Sequence, residues 1–145
     1  EHYGAGGMYE YSMYDGIPEL LIRLNDAGFR LAVATSKRTA FARPVIDHAG
    51  IGSQFELVVG SERDGAGAEK PVVIRSVLEQ LTINDPSTVV MIGDREHDGH
   101  GAVALGTHFI GVLWGFGSHD ELQAAGAREL VAHPSEIESL LTKGL

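Results

Sequence analysis

Short runs of apolar, β-branched residues alternate along the chain with stretches whose apolar positions recur at helical spacing. That rhythm predicts parallel βαβ units. Ile17, Leu20, Leu21 and Leu24 share one helical face, with Pro18 suited to a first turn and Gly28 to a left-handed stop. Phe29 to Ala34 (FRLAVA) predicts a strand covered on both faces, ended by Thr35 and Ser36 at a helix start. A helix from Thr39 to Ala49 contains Pro44, which predicts a kink or a late start. Phe55 to Val59 predicts a short strand, Gly60 to Ala68 a loop, Pro71 to Leu81 a helix and Thr88 to Ile92 (TVVMI) a second buried strand. A helix over 98–105, weakened by Gly99 and Gly101, a strand over 109–113, a short helix over 120–125, a minimal strand over 130–132 and a closing helix over 135–141 complete the pattern. Residues 1–14 show neither period and are expected to be an entry segment or the end of another element.

The chain has 145 residues, enough for one compact domain with a real core. It has no cysteine, which excludes a disulfide framework, thiolate metal ligands and a cysteine nucleophile, and is compatible with a reducing compartment. The formal charge is −9, with no clustered Lys/Arg stripe. That balance argues against nucleic acid or a membrane surface as partner, though not against a small phosphorylated ligand held locally. The longest apolar stretches are too short to span a bilayer and no export signal opens the sequence, so a cytoplasmic location is expected.

In a parallel sheet of this kind, ligands bind beyond the carboxyl ends of the strands. Three such positions are polar. Thr35, followed by the backbone N–H groups of Ser36 and Lys37, suits either a phosphate oxygen or an ordinary N-cap. Lys70 opens a helix, where a cation is disfavoured unless something negative faces it; a solvated surface lysine is the alternative. Asp94 and Asp98 stand four apart after TVVMIG, and hard oxygen donors so close favour Mg2+ over zinc, while Asp98 also suits a helix cap. The histidines are scattered without a zinc-helix spacing, and Trp114-Gly115-Phe116-Gly117 reads as a loop at a pocket entrance or as packing at a core edge.

Taken in order, LAVATSK over Leu31 to Lys37, the lysine at Lys70 and MIGDREHD over Met91 to Asp98 resemble three of the four motifs of the haloacid dehalogenase-like hydrolases. DGIPELL and GVLWGFGSHDELQAAGA look most like the phosphoglycolate phosphatase and 5′-nucleotidase-like subgroup. The resemblance implies a Rossmann-like, three-layer α/β/α hydrolase core with a mostly parallel sheet. It implies Mg2+-dependent hydrolysis of a small phosphorylated metabolite, such as phosphoglycolate or a nucleoside 5′-monophosphate, through an aspartyl-phosphate. Thr35 and Ser36 would hold the phosphoryl oxygens, Lys70 would neutralise charge, Asp94 would bind the metal and Asp98 would support it.

The first family motif, DxDGT, matches nothing from Glu1 to Leu145. In the family its strand lies centrally, between the strands ending near Thr35 and Asp94, and carries the nucleophile. The expectation is therefore an incomplete core over 15–145, preceded by the tail of a helical cap or linker over 1–14, with roughly the first third of the protein outside this sequence. Two consequences are expected: little or no activity in this chain alone, with Lys70 and Asp94 deprived of partners, and a gap in the sheet that invites self-association or strand exchange. The alternatives are a non-catalytic phosphate-binding module and a receiver-like signalling domain, although a receiver places its acids before its Thr and Lys.

Overall fold

The computed structural model describes residues 16–61 and 70–143. The predicted alternation is present: α1 (Ile17–Asp26), β1 (Ala32–Arg38), α2 (Thr39–His48), β2 (Leu57–Ser61), α3 (Lys70–Gln80), β3 (Val90–Gly93), α4 (Glu96–Leu105), β4 (His108–Val112), α5 (His119–Ala124), β5 (Glu129–Val131) and α6 (Pro134–Lys143). Every strand pair is parallel, in the orders β1-β2 and β3-β4-β5. The chain is an α/β fold in which helices cover parallel strands. The segment 1–14, read from sequence as cap tail or linker, lies outside the described residues, as does most of the loop expected over 60–68.

The alternation of strand side chains builds two cores. Ile110 and Val112 of β4 join Val33, Val58 and Val131 against α1, α2 and α6, whereas Phe109 packs with Ala102 and Leu122 beneath α4 and α5. The apolar face of α1 contributes Ile17, Leu20, Leu21 and Leu24, all buried. Each such side chain, fully withdrawn from water, stabilises the fold by about 1.5–3 kcal/mol before conformational entropy is subtracted. Pro18 sits in the first turn and Gly28 adopts φ +94°, as the helix signals predicted.

Three elements differ from expectation. β1 does not end at Ala34 but runs to Arg38, so Ser36 and Lys37 lie on the strand and α2 begins at Thr39. The ladder with β2 shifts between Ala34 and Arg38, where four residue steps on β1 face two on β2. This bulge follows from Gly60: a Cβ there would meet the Lys37 carbonyl oxygen and the Thr39 nitrogen at 2.2 and 2.5 Å. α2 starts on time, with Pro44 inside it. Strands β1 and β3, predicted to be covered on both faces, are only half-buried at Ala32, Ala34 and 90–92. The reason is that, among the described residues, β1 and β3 do not pair with each other; a largely apolar cavity of about 520 Å3 separates them, reached by Leu20 and Leu24 from α1, Val77 from α3 and Ile137 from α6. No helix among the described residues is long and apolar enough to cross a membrane.

Candidate active site

The polar residues singled out from sequence gather between the bulge of β1 and the end of β3. Thr35, Lys70, Asp94 and Asp98 are all withdrawn from solvent, with side-chain exposure of 1% at Thr35 and none at the other three. Burying charge is unfavourable unless it is matched, and here it is. The Lys70 ammonium lies 2.8 Å from Asp98 Oδ1 and donates to the Ala34 carbonyl at 3.0 Å. Asp98 Oδ2 in turn accepts from the backbone N–H groups of Asp94 and Arg95, each at 3.2 Å. A continuous polar network thus runs from Ala34, at the start of the β1 bulge, through α3 and α4 to the end of β3.

These partners correct the expectation that Lys70 is left without a negative partner. Asp98 is that partner, and its carboxylate also accepts at the start of α4, the contact that the helix-cap reading describes. The carboxyl of Asp98 lies below the ordinary carboxylate value: burial, the strongest influence, raises it, but nearby positive charge including Lys70, together with the hydrogen bond from that ammonium, outweighs burial. His97 next to it is held below the usual imidazole value, first by burial and then by Lys70 and Arg95, against the pull of Asp98.

Local sequence explains how the two acids come together. Asp98 occupies the third position of α4 and reaches back to the residue before the helix, the geometry of a capping box. Gly93 is required beneath it, because a Cβ there would fall 2.4 Å from Asp98 Oδ2. The two glycines expected to weaken α4 are contact points: a Cβ at Gly99 would meet the Ala125 carbonyl and the Phe109 ring at 2.7 Å, and one at Gly101 would meet the Lys70 stem at 2.8 Å. A side chain at Gly101 would therefore press on the Lys70 stem where it passes α4 toward Asp98.

Within β1, Thr35 Oγ1 accepts from the Lys37 N–H at 3.1 Å, across the bulge. The N–H groups of Ser36 and Lys37 therefore do not open a helix, contrary to the sequence expectation. Ser36 Oγ is enclosed, with no hydrogen-bond partner among the described residues. Sequence reasoning missed Glu121, on α5, whose carboxylate accepts from the Glu96 N–H at 2.8 Å and from Arg95 Nε at 3.2 Å and so anchors the start of α4. No local signal marks it, since its partners stand 25 and 26 residues away. The roles of Gly115, Phe116 and Gly117, which fold over Asp94, were equally hidden.

The described residues bring no group of three or more His, Cys, Asp or Glu together as a metal cage. Asp94 and Asp98 are the oxygen donors at the site. Residues 2–112 match the family model of the haloacid dehalogenase-like hydrolases. The chain belongs to that family. A tyrosine-protein kinase, PtkA, of Mycobacterium tuberculosis is 41% identical over 138 residues, covering 95% of this chain and 47% of that protein. A 5′-nucleotidase of Pseudomonas aeruginosa is 44% identical over 124 residues, covering 86% of this chain and 56% of that protein. Among solved structures, a predicted phosphatase from Clostridium acetobutylicum superposes with a TM-score of 0.87 at 42% identity, over 98% of this chain and 65% of that one. The chain spans about half the length of the curated relatives it matches. Family membership and the α/β fold agree with the sequence reading, and the receiver-like alternative falls with them.

Proposed function

We propose that this chain supplies the phosphate-holding and cation-holding half of a Mg2+-dependent phosphomonoesterase that acts on a small phosphorylated metabolite. The observation that supports it is the buried network joining Ala34, Lys70, Asp98 and Asp94 between the β1 bulge and the carboxyl end of β3. Thr35 and Ser36 stand at the bulge beside it, and an enclosed hydroxyl at Ser36 suits a phosphoryl oxygen. Lys70 offsets phosphoryl charge in a water-poor setting, where such electrostatic work is strongest. Asp94 and Asp98 fit magnesium by donor type, since both offer hard carboxylate oxygen. Asp94 would hold the ion and Asp98 would orient its surroundings; when bound, magnesium supplies charge neutralisation at the phosphoryl oxygens.

The nucleophile, an aspartate by family resemblance, belongs in this reading to a strand seated between β1 and β3. The apolar cavity of about 520 Å3 has the lining such a strand would need. In this reading that strand belongs to another part of a longer protein, since no segment of residues 1–145 carries the motif. Phosphoglycolate and nucleoside 5′-monophosphates are the substrates favoured by resemblance, and the 5′-nucleotidase relative fits the latter.

The test is hydrolysis of p-nitrophenyl phosphate with and without Mg2+, by the chain alone and mixed with a segment carrying an apolar strand that ends in the DxDGT motif. Turnover only in the mixture, lost in Asp94→Asn with the fold retained, is the expected result. Turnover by the chain alone would overturn the half-site reading; silence in both would favour a non-catalytic phosphate-binding module. The mycobacterial relative's name favours a second reading, transfer to a tyrosyl hydroxyl in place of water. Phosphate appearing on a tyrosine peptide in the same mixture would establish it.

A further inference from the structure

Beyond β4 the chain passes through Leu113 and Trp114 into Gly115-Phe116-Gly117, which folds back over the end of β3. The Phe116 N–H donates to Asp94 Oδ2 at 2.9 Å, and the Gly117 N–H donates to the Asp94 carbonyl at 2.7 Å. Both flanking glycines are needed for closeness, not for unusual backbone angles, as neither has positive φ. A Cβ at Gly115 would stand 2.2 Å from Asp94 Oδ2 and 2.4 Å from Asp94 Cβ. A Cβ at Gly117 would stand 2.3 Å from the Asp94 carbonyl oxygen. The Phe116 side chain, by contrast, is 61% exposed, so it is the backbone of this turn that touches the aspartate. Trp114, the only tryptophan of the chain, packs against the larger core and roots the turn there.

We propose that the Trp114–Gly117 turn is a positioning device for Asp94, setting the plane of its carboxylate and thereby the affinity of the site for a hard cation. This rests on the reading of Asp94 as the cation-holding residue. A carboxylate on a flexible Cα–Cβ bond can swing, and a backbone donor clamped to one oxygen fixes it; groups that orient a metal-binding side chain in this way typically change metal affinity by about 10–100-fold when lost. The turn acts through Asp94 and touches no substrate in this scheme.

Terbium is a hard, oxygen-seeking probe whose luminescence is sensitised by a nearby tryptophan, and Trp114 lies on the turn that holds Asp94. Titration of the chain with Tb3+, exciting Trp114 and displacing with Mg2+, should give a saturable signal that Asp94→Asn removes. Gly115→Ala and Gly117→Ala should raise the half-saturating Tb3+ concentration by about tenfold or more, with unchanged far-ultraviolet circular dichroism. An unaltered curve in Asp94→Asn would overturn the underlying reading of Asp94. Loss in Asp94→Asn, with both glycine variants within about twofold of the parent, would overturn the positioning role alone. A second measurement needs no variant: on adding Mg2+ to the unmodified chain, the amide resonances of Phe116 and Gly117 should shift and their exchange with solvent should slow. If Mg2+ displaces Tb3+ while those two amides stay unmoved, the positioning role is refuted even where a glycine variant fails to fold.

Discussion

Cutting the Lys70–Asp98 pair from either side should destabilise the chain by different amounts, and the structure gives the order. Both side chains are fully buried and 2.8 Å apart, so removing one strands the other's charge away from water. Breaking a buried pair in this way costs about 3–5 kcal/mol. Lys70→Met leaves Asp98 with two backbone N–H donors, at 3.2 Å each, and belongs near the lower figure. Asp98→Ala leaves the ammonium with the Ala34 carbonyl, removes both contacts at the start of α4 and opens space, so it belongs at the upper figure or above. For a domain of this size those losses lower the melting midpoint by roughly 10–16 °C. The assay is urea unfolding followed by Trp114 emission, with the double variant Lys70→Met/Asp98→Ala closing the cycle. The double variant should lose clearly less than the two singles together, because it leaves no stranded charge. A loss below about 1 kcal/mol for Lys70→Met, the range of exposed pairs, or additive losses in the double variant, would refute the description of a buried, coupled pair.

Other predictions follow from packing, titration and topology. Gly99→Ala should destabilise by about 1–3 kcal/mol despite the better helix propensity of alanine, since the atoms it meets include the Ala125 carbonyl, which cannot swing aside; a raised melting midpoint would contradict that contact. Acid should weaken the fold below about pH 4, where carboxylates protonate. Glu56 is held below the usual value chiefly by its hydrogen bond from Arg30, and Asp85 by those from Ser87. Burial raises Glu121, but hydrogen bonds from Glu96 and Arg95 outweigh it. Values depressed in the folded state add stability that is present above the free carboxylate range and lost as pH falls through the folded values, so a fold that grew more stable from pH 5 to pH 3 would contradict the sign. Hydrogen exchange should be slowest in β4, which pairs with a neighbour on each side, and faster in β1 and β3. Equal protection of β1 and β4 in the isolated chain would mean that something already fills the space beside β1.

Much of the architecture is legible from local pattern. The apolar stripe of α1, the βαβ rhythm and the placing of Thr35 on one strand and of Asp94 just after another need only periodicity, the start signal of Pro18 and the stop signal of Gly28. The order of the motif residues was enough to suggest the family. Element ends were less legible: β1 runs four residues past Ala34 because Gly60, on the opposite strand, tolerates a bulge that nothing in LAVATSK announces.

Tertiary structure alone decided what each site residue touches. A lysine at a helix start reads as surface or as functional until its ammonium is found against Asp98, with its stem packed close over Gly101, a residue that helix propensity marks as a defect. The same holds for Gly93, Gly115 and Gly117, whose missing side chains matter only because carboxylates or carbonyls from other elements fill the space. Propensity and periodicity arise within a few residues of chain, and the sequence records them directly. Close approach, charge pairing and the division of the strands into β1-β2 and β3-β4-β5 arise between residues far apart in the chain, and become visible only when the fold brings them together.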